Sequence, residues 1–302
     1  MKHRKLVSSL MLIVAALIWG TAFVAQRKGM EYAGPLAFNG VRTLIGSLVL
    51  LPVALIFRPA KAANLRKTLL AGLLCGLCLF MATNLQQIGL TSTEAGKAGF
   101  ITTFYIILVP VLGLFLRKKT GAVTWLAVAV ALGGLFFLCV KPGEVRIAPG
   151  DLLVLGCAFF FAVQILVIDF FVQEVDGVLL SCVQFAVDGV LSLIAAFLFE
   201  KPDFPALFRG WIPLLYTGIL SCGVAYTLQI LGQKNLHPTV ASLLMSLESA
   251  FAVLGGWLIL HERLTRRELL GCALMLAAVL LVQLAPAKKE KPPAKKEKTP
   301  AS

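Results

Sequence analysis

Three charged side chains, Arg42, Asp188 and Glu248, fall deep inside long apolar stretches of this chain. A guanidinium cannot shed its charge, and at the centre of a lipid-facing helix it costs about 3 kcal/mol even on the lenient insertion scale. Arg42 therefore either snorkels to an interface or faces protein and water. Glu248 sits about ten residues from either end of its apolar run, with small residues such as Ala241 and Ala252 on its helical face. Two readings stay open for it: a carboxylate that exchanges a proton during a working cycle, or a structural one bonded to backbone or to Arg42. Asp188 is a candidate counter-ion for Arg42. Asn84 and Gln87 are three residues apart, hence on one helical face, and Tyr226 and Gln229 repeat that spacing. With Trp19, Thr102, Tyr105 and Ser246 they are candidates for lining a solute path. The alternative for the amides is helix-to-helix glue, worth about 0.6 kcal/mol each.

Other chemistries find no footing. His3, His237 and His261 are far apart, so no metal site can be built from them. All seven cysteines lie in apolar segments, and the CxxC at Cys75 and Cys78 has no βαβ context. Six residues separate Gly89 from Gly96-Lys97, where a phosphate loop needs four. No nucleophile and base pair appears, so neither an enzyme nor a cofactor is expected.

The elements that must hold these residues are membrane helices. The chain is 59% hydrophobic and 14% charged, with mean hydropathy +0.89, far from the balance of soluble domains. A spanning helix needs about 20 apolar residues, and ten such segments fall near 6–25, 36–57, 68–90, 98–116, 123–140, 150–170, 178–199, 211–231, 238–260 and 268–285. The first is too long for a signal-peptide core and reads as an uncleaved helix. Residues 286–302, rich in Lys and Pro, are expected to be a disordered cytoplasmic tail. With ten spans, the loops on the side of the termini collect 17 Lys and Arg against ten opposite, which predicts both termini in the cytoplasm.

The chain also repeats itself. An offset of 142 residues superposes the first four segments on the sixth to ninth, carrying Gln87-Ile88 onto Gln229-Ile230 and Val111-Leu112-Gly113 onto Val253-Leu254-Gly255. The same offset carries Arg42 onto Gln184, so both copies keep a polar group at that depth. Five is odd, so the second copy enters the membrane upside down. Inverted repeats of this kind build transporters, with the solute site at the repeat interface near the midplane.

Particular residues carry a family resemblance. "ALIWGTAFVAQRKGME" followed by "PLAFNGVRTLIGSLVLLPV", with its Trp-Gly and the Arg of the second helix, resembles the drug/metabolite transporter superfamily, in its EamA-like ten-helix branch. "LESAFAVLGGWLILHERLTRRELLGCALMLAAVLLVQL" is similar to that family's last two helices. The resemblance implies an all-α membrane protein with a 5+5 inverted-repeat fold, repeats at 1–145 and 146–285, working as a secondary transporter that often exports amino acids, amines or related metabolites. Expected partners are a small-molecule substrate, protons and membrane lipid, with no nucleic acid; the expected location is the plasma membrane. A flippase of lipid or lipid-linked sugar is the rival reading on the same fold. Arg42 is expected to point into the bundle as a scaffold or gate, paired with a carboxylate or helix-end carbonyls. Glycines at 72 and 76 predict one tight helix crossing.

Overall fold

A computed structural model describes residues 2–56, 64–93, 95–118, 120–139, 148–260 and 265–284. His261, the turn at 261–264 and the tail from 285 lie outside the described residues. Among those described, every regular element is helical: α1 (Lys2–Gly29), α2 (Pro35–Ile56), α3 (Leu65–Gly89), α4 (Ala95–Thr102), α5 (Tyr105–Phe115), α6 (Ala122–Cys139), α7 (Pro149–Phe171) and α8 (Gly177–Phe199). The short α9 (Phe204–Arg209) precedes α10 (Trp211–Leu215), which runs through a π-helical stretch, Tyr216–Ala225, into α11 (Tyr226–Gln233). α12 (Pro238–Met245), α13 (Glu248–Leu260) and α14 (Arg266–Leu284) complete the bundle. Eight segments are long and apolar enough to cross a bilayer, and two shorter apolar helices, Ala122–Leu138 and Pro238–Leu254, stand at the fifth and ninth expected positions.

Two expected spans are not continuous. The fourth breaks between α4 and α5 and the ninth between α12 and α13, at positions that the 142-residue offset nearly superposes. Each break carries a hydroxyl bonded back to its own helix. Thr103 Oγ1 bonds the Gly99 and Phe100 carbonyls at 2.9 and 2.8 Å, and Ser246 Oγ bonds that of Leu243 at 2.8 Å. Nearby amides tighten to carbonyls three residues back, as in Ile106 to Thr103 and Leu247 to Leu244. Pro110 then removes an amide one turn into α5. Glu248, expected in mid-helix, is consequently the first residue of α13, and Ala241 belongs to a separate helix.

Packing between the halves follows a matched scheme. α2 lies on α8 and α6 on α14; α3 packs on α7 and α8, while α1 and α2 pack on the tenth-helix, π and α11 segment. Exchanging the two copies turns each of these contacts into another member of the set. In hydrocarbon such contacts depend on small residues that let backbones approach. A Cβ on Gly72 would meet Val183 Cβ at 2.7 Å, and one on Gly76 would meet Val187 Cβ at 2.6 Å, so the expected tight crossing is that of α3 on α8. The start of α1 and the last turn of α14 lie at one end of the bundle: Asn235 Nδ2 donates to Ser8 Oγ at 3.1 Å and Gln283 Nε2 to Ser9 Oγ at 2.9 Å. Ion pairs tie α7 to the broken fourth span at both of its ends, Lys97 to Asp151 and Lys118 to Asp169.

Candidate functional site

The packing leaves a cavity of about 50 Å³ between the copies, room for a few ordered waters. Three pairs of residues related by the offset border it: Trp19 and Phe161, Phe23 and Ile165, Thr43 and Phe185. Aromatic rings form one wall. Tyr226 stands edge-on to Trp19, with centroids 4.7 Å apart, and to Phe185 at 5.1 Å. Such T-shaped pairs fix ring orientation as well as burying area.

Glu248 borders this cavity and is only 6% exposed. Its Oε1 accepts a long hydrogen bond, 3.3 Å, from the Tyr105 hydroxyl, which joins the two broken spans. No cationic nitrogen lies within 4.0 Å of it among the described residues. Gly20 sets its position: a Cβ there would meet the Glu248 carbonyl at 2.6 Å and the Ala252 amide at 2.8 Å, both backbone. The Trp-Gly pair of α1 thus supplies one ring for the cavity wall and one gap for the start of α13. Gly20→Val is expected to destabilise the protein by about 3 kcal/mol, because backbone cannot step aside as a side chain can. Thermal unfolding in detergent checks this; a midpoint equal to wild type would contradict the close approach.

Arg42 borders the cavity from α2 and is 4% exposed. Its Nε donates to Asn39 Oδ1 at 2.9 Å, one turn back, and the guanidinium lies 6.0 Å from the Phe38 ring centroid. No carboxylate oxygen approaches it within 4.0 Å among the described residues. Asp188, the candidate counter-ion, is linked to Arg42 through an interposed amide, that of Asn39. Asn39 Nδ2 faces four oxygens: Thr83 Oγ1 at 2.9 Å, Ser192 Oγ at 3.1 Å, Asn84 Oδ1 at 3.2 Å and Asp188 Oδ1 at 3.3 Å. Ser192 also donates to Asp188 at 2.9 Å, and Thr83 to its other oxygen at 3.2 Å. This fully buried knot ties α2, α3 and α8 together behind the cavity wall. Sequence reasoning passed over Asn39, although its place three residues before Arg42 on one helix was the available signal.

The remaining expected residues divide. Trp19, Thr102, Tyr105, Tyr226 and Gln229 border the cavity. Gln229 Nε2 donates to Gln164 Oε1 at 3.1 Å, and Gln164 in turn to Gln184 at 3.4 Å, while Gln86 Nε2 donates to Thr102 at 3.1 Å. From α3 the cavity is bordered by Thr83 and Gln86. Asn84 and Gln87 stand one residue further on, about 100° round the helix: Asn84 enters the Asn39 knot, and Gln87 is wholly buried with both amide atoms unpartnered among the described residues. Asp188 sits behind the wall, and Ser246 is spent on the helix break. Among the described residues no cluster of His, Cys, Asp or Glu is arranged to hold a metal ion.

Comparison with known proteins adds identity to this geometry. The EamA-like transporter family model matches twice, over residues 6–140 and 148–284. An uncharacterized transporter of Archaeoglobus fulgidus is 30% identical over 93% of this chain and 87% of its own length. The uncharacterized transporter YoaV of Bacillus subtilis is 25% identical, covering 89% of this chain and 94% of its own. The uncharacterized inner membrane transporter YedA of Escherichia coli K12 is 26% identical over 90% of each chain. A solved crystal structure shares the fold, with a TM-score of 0.77 at 18% identity over 91% of this chain and 96% of that one. Two matches to the family model cover nearly the whole helical bundle and the relatives align over about nine-tenths of it, and the chain belongs to the EamA-like transporter family.

Proposed function

We propose that the protein is a ten-span, 5+5 inverted-repeat secondary transporter that moves small organic solutes such as amino acids or amines out across the plasma membrane by alternating access. The observation that carries this reading is the cavity itself. Both copies contribute matched positions to it, and a lone carboxylate and a lone guanidinium face it. Matched walls allow the copies to exchange roles, so that whichever arrangement opens one side has a counterpart opening the other. The two broken spans, joined by the Tyr105–Glu248 bond, are the elements able to bend during that exchange. Proton exchange at Glu248 is the proposed coupling step, with both termini and the basic tail on the cytoplasmic side.

Counterflow in proteoliposomes tests the reading. Vesicles loaded with individual unlabelled amino acids and amines are expected to accumulate the matching labelled solute for at least one member of the panel. No counterflow across the panel, together with protein-dependent translocation of labelled phospholipid, would transfer the assignment to a flippase.

A further inference from the structure

We infer that Arg42 is an anion-reading subsite of the cavity, taking a carboxylate of the solute on its guanidinium with the Ser221 and Tyr226 hydroxyls as further donors. The inference rests on the transport reading above and narrows its substrate class to solutes that carry a carboxylate, as against plain amines.

A guanidinium has five N–H donors in a rigid planar fork and no neutral state available to it. In Arg42 only Nε is engaged, with Asn39. The two terminal nitrogens have no hydrogen-bond partner among the described residues, although the side chain is almost wholly buried and faces the cavity. The two terminal nitrogens are not sealed in: they open onto the cavity without a protein acceptor among the described residues, where water or a solute oxygen can reach them.

Asp188 could have satisfied it. Its oxygens are instead taken by Ser192, Thr83 and Asn39, and the Asn39 amide stands between acid and base. That arrangement keeps a counter-charge near Arg42 while preventing the direct pair from closing over the fork. The Asn39 bond also fixes the plane of the guanidinium, which is what bidentate recognition of a carboxylate demands.

The facing wall supplies matching chemistry. Ser221 and Tyr226 both border the cavity and bring a hydroxyl each to it. Ser221 belongs to the π-helical stretch, and the wall is drawn close to α2 because Gly218 has no side chain: a Cβ there would meet the Arg42 carbonyl at 2.9 Å. Tyr226 is held by its ring contacts with Trp19 and Phe185, so its hydroxyl is presented by a fixed ring. Glu248 lies on the same cavity with no cationic nitrogen within 4.0 Å among the described residues, so a solute bearing both carboxylate and ammonium groups finds a partner for each.

Benzoate and its neutral isostere benzamide test the subsite by thermal unfolding of the full chain in detergent. Benzoate is expected to raise the midpoint saturably in the wild type and benzamide is not. Arg42→Gln is expected to weaken the benzoate response by about 100-fold and Arg42→Lys by about tenfold, since the lysine keeps charge but loses the fork. Ser221→Ala leaves the Asn39 knot untouched and is expected to weaken benzoate by about fivefold, which keeps the test open if the arginine variants unfold. Equal benzoate responses in wild type and variants, or no preference for benzoate over benzamide in the wild type, overturn the subsite. If counterflow succeeds while benzoate ignores Arg42, the transport reading stands and this one falls. Benzoate binding that needs Arg42, with no counterflow of any solute, leaves the subsite and removes the transporter assignment.

Discussion

In proteoliposomes carrying the solute identified by counterflow, Glu248→Gln is expected to abolish accumulation driven by an imposed pH gradient while exchange at symmetrical pH continues. Glutamine keeps the shape of the side chain and still accepts from Tyr105, whose bond to Oε1 is 3.3 Å long. It cannot take up or release a proton. The carboxylate is suited to that task by placement: it opens α13 at a helix break, borders the cavity and lacks a cationic partner within 4.0 Å among the described residues. Intramembrane carboxylates in such settings mark proton paths because an unpaired charge there is otherwise expensive to keep. Gradient-driven accumulation by the glutamine variant at the wild-type level would remove Glu248 from coupling and leave it a structural link between the broken spans.

Asn39→Leu is expected to lower stability by about 4 kcal/mol, read as an unfolding free energy in detergent. Leucine keeps the branching and heavy-atom count of asparagine and is the larger of the two, so no void opens and the polar groups left without partners account for most of the loss. The substitution strips a partner from Arg42 Nε, Asp188, Thr83, Asn84 and Ser192 at once. Water cannot replace these bonds cheaply, since Asn39, Thr83, Asp188 and Ser192 are all buried. A loss below about 1 kcal/mol would mean that apolar packing alone holds α2, α3 and α8 together.

Span length and composition were written locally in the chain. The segments expected at 150–170 and 178–199 are found at Pro149–Phe171 and Gly177–Phe199, because a bilayer demands a continuous apolar run of fixed length and the flanking polar residues mark its ends. The twofold matching of family repeats was legible for a related reason: amides are rare in such runs, so Gln87 and Gln229 stand out at their common offset.

Helical phase was not legible. A helix that is apolar nearly all round gives no strong preference for which side meets the protein, which is why Thr83 and Gln86 border the cavity where the next residues, Asn84 and Gln87, were expected. The breaks at Thr103 and Ser246 were hidden as well, since a hydroxyl can bond its own helix with or without interrupting it. By itself the sequence determined that this is a duplicated bundle of membrane helices holding three deep charges, because charge and apolar length are properties of single residues and short runs. Tertiary structure alone decided that Arg42 meets an amide in place of an acid, that Asp188 stays behind the wall, and that Glu248 opens onto the cavity. Those outcomes depend on which groups from four distant segments of the chain come within hydrogen-bonding distance, and no local pattern encodes that distance.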